Sequence, residues 1–221
     1  GKWMALRSVG AEDLPEDRFS DIHRRVESLS TEMGIDKPRL MVARMGVPNA
    51  FAVGRKGNGT VVVSEELLHR LEPDEVEAVL AHELAHIRNR DVVMMVLGQG
   101  VASIVAIVAQ WAVLLTGDND LADFFLAIVV GQITQLLVML FVFAISRYRE
   151  YVADADAAEE VGSGEPLATA LEKISRRSER ADDTAVDAQV NALCIFGEKR
   201  GLAKLFATHP PVEKRIERLR A

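Results

Sequence analysis

The sequence predicts a mainly α-helical fold with a small antiparallel β-sheet, an α+β arrangement interrupted by a hairpin of two membrane-crossing helices. Three observations support this prediction. Two long segments carry no charged residue, three short runs rich in Val, Met and Phe are separated by turn signals, and most other apolar residues recur at helical spacing. We expect residues 1–91 and 147–221 to form one domain and residues 92–146 to form the hairpin.

The two charge-free segments are residues 92–116 and 124–146. At about 1.5 Å per residue, each helix would be long enough to cross a hydrocarbon core of about 30 Å. The alternative is a pair of buried core helices, but charge-free runs of this length rarely form the core of a small soluble domain. The segments therefore predict a multi-pass protein with the lipid bilayer as a partner.

Charged residues predict the orientation of the hairpin. All Lys and Arg residues lie outside residues 91–146, whereas the short connection at 117–123 is acidic. The positive-inside rule then places both soluble parts in the cytoplasm and the connection outside. The whole chain carries a formal charge of −7, which argues against nucleic acid as a partner. The single cysteine, Cys194, allows no internal disulfide.

The elements before the hairpin follow from periodicity and turn signals. An amphipathic helix is expected from about Leu14 to Met33. Strands are expected at 39–45, 50–54 and 60–63, in a small antiparallel sheet.

The helix that Pro73 is expected to begin contains His82-Glu83-Leu84-Ala85-His86. On a helix, the two histidines lie one turn apart on the same face, so both imidazoles reach one Zn²⁺. Glu83 is adjacent to the pair, where a general base for the attacking water is needed. The alternative is a surface helix with two unrelated histidines, but an apolar stripe on a separate face of this helix argues against it.

A third metal ligand is expected after the second apolar segment. A membrane hairpin returns the chain near its point of departure, so Glu150 should lie close to His86 and complete a site for one Zn²⁺ per chain. Asp154, one turn further on, is placed to accept the other ring N–H of a ligating histidine. The alternative is an ordinary solvated carboxylate pair at i and i+4.

Two other groups are candidates for the same site. The strand that follows Asn49, with Ala50 and Phe51, would pair with an extended substrate backbone if the site cleaves peptides, although a purely structural sheet is equally compatible. His209 precedes a Pro pair, where it would either stabilise an oxyanion or brace the turn.

The sequence resembles the M48 zinc metallopeptidases, and most closely their HtpX group of membrane proteases. The motifs behind the resemblance cover nearly the whole chain in order. They are Pro48–Gly54, Ala81–His86 with Asn89-Arg90-Asp91, Ser146–Tyr151 with Ala153-Asp154, and Thr208–Pro211 with Arg215. Members of that group usually carry two further spans near the N-terminus, and none is visible here, so the full spanning topology stays open.

The resemblance implies a gluzincin arrangement, with His82, His86 and Glu150 on zinc, Glu83 as general base and Asp154 supporting a ligand. It also implies an endopeptidase that cleaves misfolded or damaged membrane proteins at the cytoplasmic face, in protein quality control and stress response.

Two other classes of function fit the sequence less well. A non-catalytic membrane scaffold or sensor would keep zinc for structure, but it would have no use for Glu83. A channel would need a charged or strongly polar lining, and the apolar segments offer only four glutamines and a few hydroxyls. The oligomeric state stays open.

Overall fold

The computed structural model describes residues 6–7, 9–55, 57–117, 121–185 and 210–221. Their contacts define two compact units. The first contains the described residues up to 92, 150–185 and 210–221, and the second contains residues 93–117 and 121–149. Most described residues are helical, and the helices accompany one small sheet. The predicted mainly α class with a small sheet is therefore confirmed.

The strands and helices are numbered in chain order. The strands are β1 (Glu12–Asp13), β2 (Arg39–Ala43), β3 (Ala50–Arg55) and β4 (Asn58–Ser64). The helices are α1 (Ser20–Glu32), α2 (Glu65–Arg70), α3 (Pro73–Arg88), α4 (Asp91–Thr116), α5 (Leu121–Val161), α6 (Glu165–Ala185) and α7 (Val212–Leu219).

The sheet is mixed, which corrects the prediction that it is antiparallel. Its strand order is β1-β2-β4-β3, and β4 pairs parallel to β2 and antiparallel to β3. Strand β4 carries Val61, Val62 and Val63, all almost completely buried. A strand that is apolar on both faces is most stable at the centre of a sheet. It therefore lies between β2 and β3, which leaves β3 at an edge.

Helix α1 is shorter than predicted because residues 14–19 join the sheet to the helix. The Leu14 N–H donates to the carbonyl of Leu40 on β2. The carbonyl of Leu14 in turn contacts Nε2 of His23 at 2.9 Å. Leu14 is buried in the core, so this segment is held in place without being helical.

Helix α3 is central to the first unit. Its beginning is defined by Pro73 in the first turn and by a capping box between Glu72 and Glu75. Ser64 caps the preceding short helix by accepting from the Leu67 N–H, as the sequence predicts. One face of α3 packs against the sheet and α1 through the core residues Val76, Val79, Leu80, Leu84 and Ile87.

The second unit is a hairpin formed by α4 and the first part of α5. Ala102 and Ala127 are fully buried between tightly packed helices, whereas Leu115 and Phe141 expose 78% and 66% of their surface. Both helices are long and apolar enough to cross a membrane. Small residues inside and large apolar residues outside are the arrangement expected of helices that pack in lipid.

Candidate metal centre

Helix α3 presents two histidines toward one point. His82 and His86 lie one turn apart on the same face, and their Nε2 atoms are 3.0 Å from each other. Both side chains are largely withdrawn from solvent, with 8% and 18% exposed. Two imidazole nitrogens at this separation form half of a tetrahedral donor set.

Glu150 on α5 supplies a third donor. Its Oε1 atom is 3.3 Å from Nε2 of His86, and its Oε2 atom is 3.7 Å from Nε2 of His82. The donor atoms of the three residues all lie within 4.8 Å of one another. Ligands at 2.0–2.1 Å from a tetrahedral zinc are about 3.3 Å apart. The spacing and the N₂O donor chemistry therefore fit Zn²⁺.

Each histidine also has a carboxylate at its other ring nitrogen. Asp154 Oδ1 lies 3.0 Å from Nδ1 of His82. Asp91 Oδ2 is hydrogen-bonded to Nδ1 of His86. A carboxylate at Nδ1 favours the tautomer that carries its proton there, which leaves the lone pair of Nε2 available for a metal.

Asp91 is brought to His86 by a break between α3 and α4. The sequence suggests that the zinc-site helix runs with little interruption into the first apolar helix, but α3 ends at Arg88 and Arg90 adopts a left-handed φ of 56°. In one continuous helix, residues five apart face different directions. The sequence offers Asp91 only as part of the family pattern and does not reveal its contact with His86, because the left-handed residue is not a glycine, the usual signal for such an end.

Arg215 on α7 was noted in the sequence only as part of a family pattern. Its Nε and Nη2 atoms donate to Oδ2 and Oδ1 of Asp154 at 2.8 and 2.6 Å. Its Nη1 atom lies 3.3 Å from Oε2 of Glu150. No periodic signal links it to residues that lie more than 60 positions earlier, so only the fold reveals this contact.

Polar contacts also fasten α3 to the last part of α5. Arg88 forms ion pairs with Asp156 and Glu160 at 2.6 and 3.3 Å. The Asn89 amide donates to Asp156 at 3.0 Å. Since the histidines lie on α3 and Glu150 on α5, these contacts restrict how far the donor atoms can move apart.

Glu83 lies beside the histidines and is 9% exposed. Burial raises the pKa of its carboxyl group, and the nearby Glu150 acts in the same direction. The two histidines and the backbone N–H of Ala52 oppose the shift by favouring the carboxylate. A buried carboxylate with a raised pKa is well suited to accept and return a proton near neutral pH.

In the described part of the chain, β3 is an edge strand of the sheet and lies next to Glu83. The Ser64 N–H donates to the Asn49 carbonyl. Because hydrogen-bonded and non-hydrogen-bonded pairs alternate along an antiparallel ladder, the backbone N–H and C=O of Phe51 point toward β4. The N–H groups of Ala50 and Ala52 point away from β4, toward the edge. The side chain of Phe51 packs on the opposite face of the sheet from α3, with Met41 and Val62. Any role of Phe51 at the edge would therefore rest on its backbone.

The charges of the site act on His86 and Arg215 as well. Burial lowers the pKa of His86, but its contact with Glu150 and the charge of Glu83 outweigh burial, so the net shift is upward. Burial also disfavours the Arg215 cation, yet Asp154, Glu150 and Glu83 raise its pKa. His209, the remaining candidate from the sequence, lies outside the described residues.

Comparisons with known proteins find relatives that match nearly the whole chain. The model of peptidase family M48 matches residues 16–221. The protease HtpX homolog of Halobacterium salinarum is 64% identical, over all of this chain and 84% of its own length. The protease HtpX of Escherichia coli K12 is 38% identical, over 99% of this chain and 80% of its own. A crystal structure of S. mikatae Ste24p shares the fold, with a TM-score of 0.62 at 22% identity over 95% of this chain and 50% of that one.

Proposed function

Because the chain belongs to peptidase family M48, we propose that it cleaves unfolded or damaged membrane proteins at the cytoplasmic face of the cell membrane. The family makes it a zinc metalloendopeptidase, and its two apolar helices together with its HtpX relatives make it a membrane protein. In our proposal one Zn²⁺ is held by His82, His86 and Glu150, and a protease domain is interrupted by the hairpin of residues 92–146.

The observation that supports this proposal most directly is the convergence of three donor atoms next to a buried carboxylate. The two Nε2 atoms are 3.0 Å apart, and the Glu150 carboxylate lies 3.3 Å from one through Oε1 and 3.7 Å from the other through Oε2, which suits one small tetrahedral ion. A purely structural zinc site has its coordination filled by protein ligands, whereas three ligands leave a position open. The presence of Glu83 beside that position favours catalysis over a scaffold or sensor.

Each residue then has a definite task in peptide hydrolysis. When bound, zinc lowers the pKa of a water molecule and polarises the scissile carbonyl. Glu83 accepts a proton from the attacking water and returns it to the leaving amine. Asp154 and Asp91 hold the proton of each histidine at Nδ1 and orient the rings. His209 is a further candidate for stabilising the oxyanion.

We propose that the substrate is an extended polypeptide aligned by the open edge of β3. The outward N–H and C=O groups of Ala50 and the outward C=O group of Ala52 are suited to add a backbone as one more strand. Main-chain recognition of this kind does not depend on a particular side chain, which suits a protease that acts on many unfolded sequences. It also requires that the substrate be locally unfolded.

Basic residues at both ends of the hairpin support a cytoplasmic site. Arg88 and Arg90 precede the first apolar segment, and Arg147 and Arg149 follow the second. The orientation is tested with a membrane reporter that carries one cleavable sequence in either a cytoplasmic or an external loop. We expect cleavage of the cytoplasmic version only, and cleavage of the external version alone would reverse the orientation.

The activity is tested with the full chain in detergent. We expect about one zinc per chain and cleavage of an unfolded protein that a chelator abolishes. Glu83→Gln should retain zinc and lose cleavage, whereas Glu150→Ala should lose zinc. Glu159→Ala, an exposed carboxylate on the same helix, is the matched control and should behave as wild type. Full zinc occupancy in Glu150→Ala would remove that residue from the ligand set.

A further inference from the structure

We infer that Arg215 is a positioning residue that sets which oxygen of Glu150 faces the metal. The inference rests on the proposed zinc site, and it gives helix α7 a role in assembling that site. It follows from the contacts that Arg215 makes and from the way α7 is attached.

The guanidinium of Arg215 joins the two carboxylates of α5. Its fork is bidentate to Asp154, and its third nitrogen, Nη1, lies 3.3 Å from Oε2 of Glu150. All three side chains are at least 90% withdrawn from solvent. In this setting a rigid, planar cation defines the positions of the oxygens that it touches.

The two oxygens of Glu150 have different nearest partners. Oε2 is engaged by Arg215, and Oε1 is the oxygen nearer to Nε2 of His86, at 3.3 Å. Oε2 also lies 3.7 Å from Nε2 of His82, but its ion pair with Arg215 favours metal binding through Oε1, which has the shorter contact with an imidazole. A second oxygen on the metal would occupy the position that the open site needs for substrate or water.

Arg215 also acts on His82 through Asp154. Oδ1 of Asp154 accepts from Nη2 of Arg215 and lies 3.0 Å from Nδ1 of His82. One guanidinium therefore restrains the proposed ligand Glu150 directly and the proposed ligand His82 through one carboxylate.

Arg218 on α7 and Arg220 just after it make further contacts that do not involve the site residues. Arg220 forms ion pairs with Glu165 and Glu172 on α6, at 2.8 and 2.7 Å. The guanidinium of Arg218 lies 4.1 Å from the ring centroid of Tyr151. These contacts hold the helix in place, so variants at Arg220 separate the docking of α7 from the contact that Arg215 makes.

Two effects of Arg215 on zinc binding have opposite signs. Its positive charge repels a nearby divalent cation, and its removal by itself would strengthen zinc binding. Its hydrogen bonds to Asp154 and its ion pair with Glu150 orient the two carboxylates, and the loss of such partners typically weakens metal binding 10- to 100-fold. We expect orientation to prevail, because the same charge is already balanced by Asp154 and Glu150.

The test uses the full chain in detergent and measures zinc affinity by competition with a chelator. Arg215→Ala should bind zinc about 10- to 100-fold more weakly. Arg215→Lys keeps the buried charge but has no planar fork, so it should also bind at least about tenfold more weakly. Arg220→Ala should lower thermal stability and leave the zinc affinity of the folded protein unchanged. The absorption spectrum of the Co²⁺-loaded protein should change in both Arg215 variants and not in Arg220→Ala, because it reports coordination geometry.

The outcomes separate this inference from the proposed function. If the wild type binds no zinc, or Glu150→Ala binds it normally, the zinc site itself is wrong. If those two proteins behave as expected but Arg215→Lys binds zinc like the wild type, charge alone is sufficient and the positioning role is wrong. Tighter zinc binding by Arg215→Ala would have the same meaning. Should Arg215→Ala fail to fold, Arg215→Lys still decides the question.

Discussion

The Nδ1 atom of His86 is hydrogen-bonded to Asp91 although the two residues stand five apart in the chain. The contact exists because Arg90 takes a left-handed conformation, which interrupts the helix between the two residues. His82 has its own carboxylate, Asp154, from α5. A carboxylate therefore lies at Nδ1 of each histidine, hydrogen-bonded at His86 and 3.0 Å away at His82.

The first prediction concerns this support. Asp91→Ala should weaken zinc binding about 10- to 100-fold, because the His86 ring loses the partner that holds its proton at Nδ1. Asp91→Asn should have a smaller effect, since an amide oxygen still accepts from Nδ1. Chelator competition measures both. Equal zinc affinity in the wild type and Asp91→Ala would show that His86 is oriented by other means.

The second prediction concerns the cost of burying Glu83. Its raised pKa means that the folded state disfavours the ionised form relative to the unfolded chain, so ionisation above pH 4.5 lowers stability. Glu83→Gln should abolish cleavage and raise the apparent Tm of the metal-free protein at pH 7. The amide keeps an oxygen that accepts from the Ala52 N–H.

The Tm difference between wild type and Glu83→Gln should shrink as pH falls through 4.5, because below that value the wild-type carboxyl becomes protonated in both states. Thermal unfolding in detergent at several pH values measures it. A lower Tm for Glu83→Gln at pH 7 would contradict the prediction.

The third prediction tests the open edge of β3. Ala50→Pro removes an N–H that points away from β4, so the sheet should persist while substrate pairing weakens. One hydrogen bond is worth about 0.5–1.5 kcal/mol, so kcat/KM should fall about 2- to 10-fold. Initial rates on an unfolded substrate measure this effect.

The control for the third prediction is Phe51→Pro, which removes an N–H that is directed toward β4 and should destabilise the fold. Zinc content and Tm distinguish the two variants. An Ala50→Pro protein with normal fold and unchanged kcat/KM would indicate that substrate does not pair at this edge.

The fourth prediction is that acid releases zinc. A metal requires neutral imidazole, and the metal-free protein holds a proton on His86 more tightly than an ordinary histidine does. Protons should therefore compete with zinc already at pH values above 6.5. Below the pKa of His86, zinc affinity should fall about tenfold per pH unit for each proton displaced. Titrations with buffered free zinc from pH 8 to pH 6 test this, and a constant affinity over that range would contradict it.

Local features of the sequence determined most of the helices and the histidine pair. Capping residues and Pro73 define the starts of α2 and α3, and apolar runs define the hairpin. The spacing of His82 and His86 is a property of one helix, so it requires no knowledge of the rest of the fold. The proximity of Glu150 was also foreseeable, because a helical hairpin has to return the chain close to where it left.

Only the tertiary structure decided the strand order and the supporting residues. The pairing of β4 with β2 depends on which strand is best buried on both faces, and this is settled by the whole core. Asp91 reaches His86 through one unusual backbone conformation, and Arg215 reaches Asp154 because α7 docks across a long separation in sequence. The spacing of residues along the chain determines which side chains are neighbours within one helix or strand. Contacts between helices and strands depend on how the whole core packs and how its charges pair, and no single segment of the sequence contains that information.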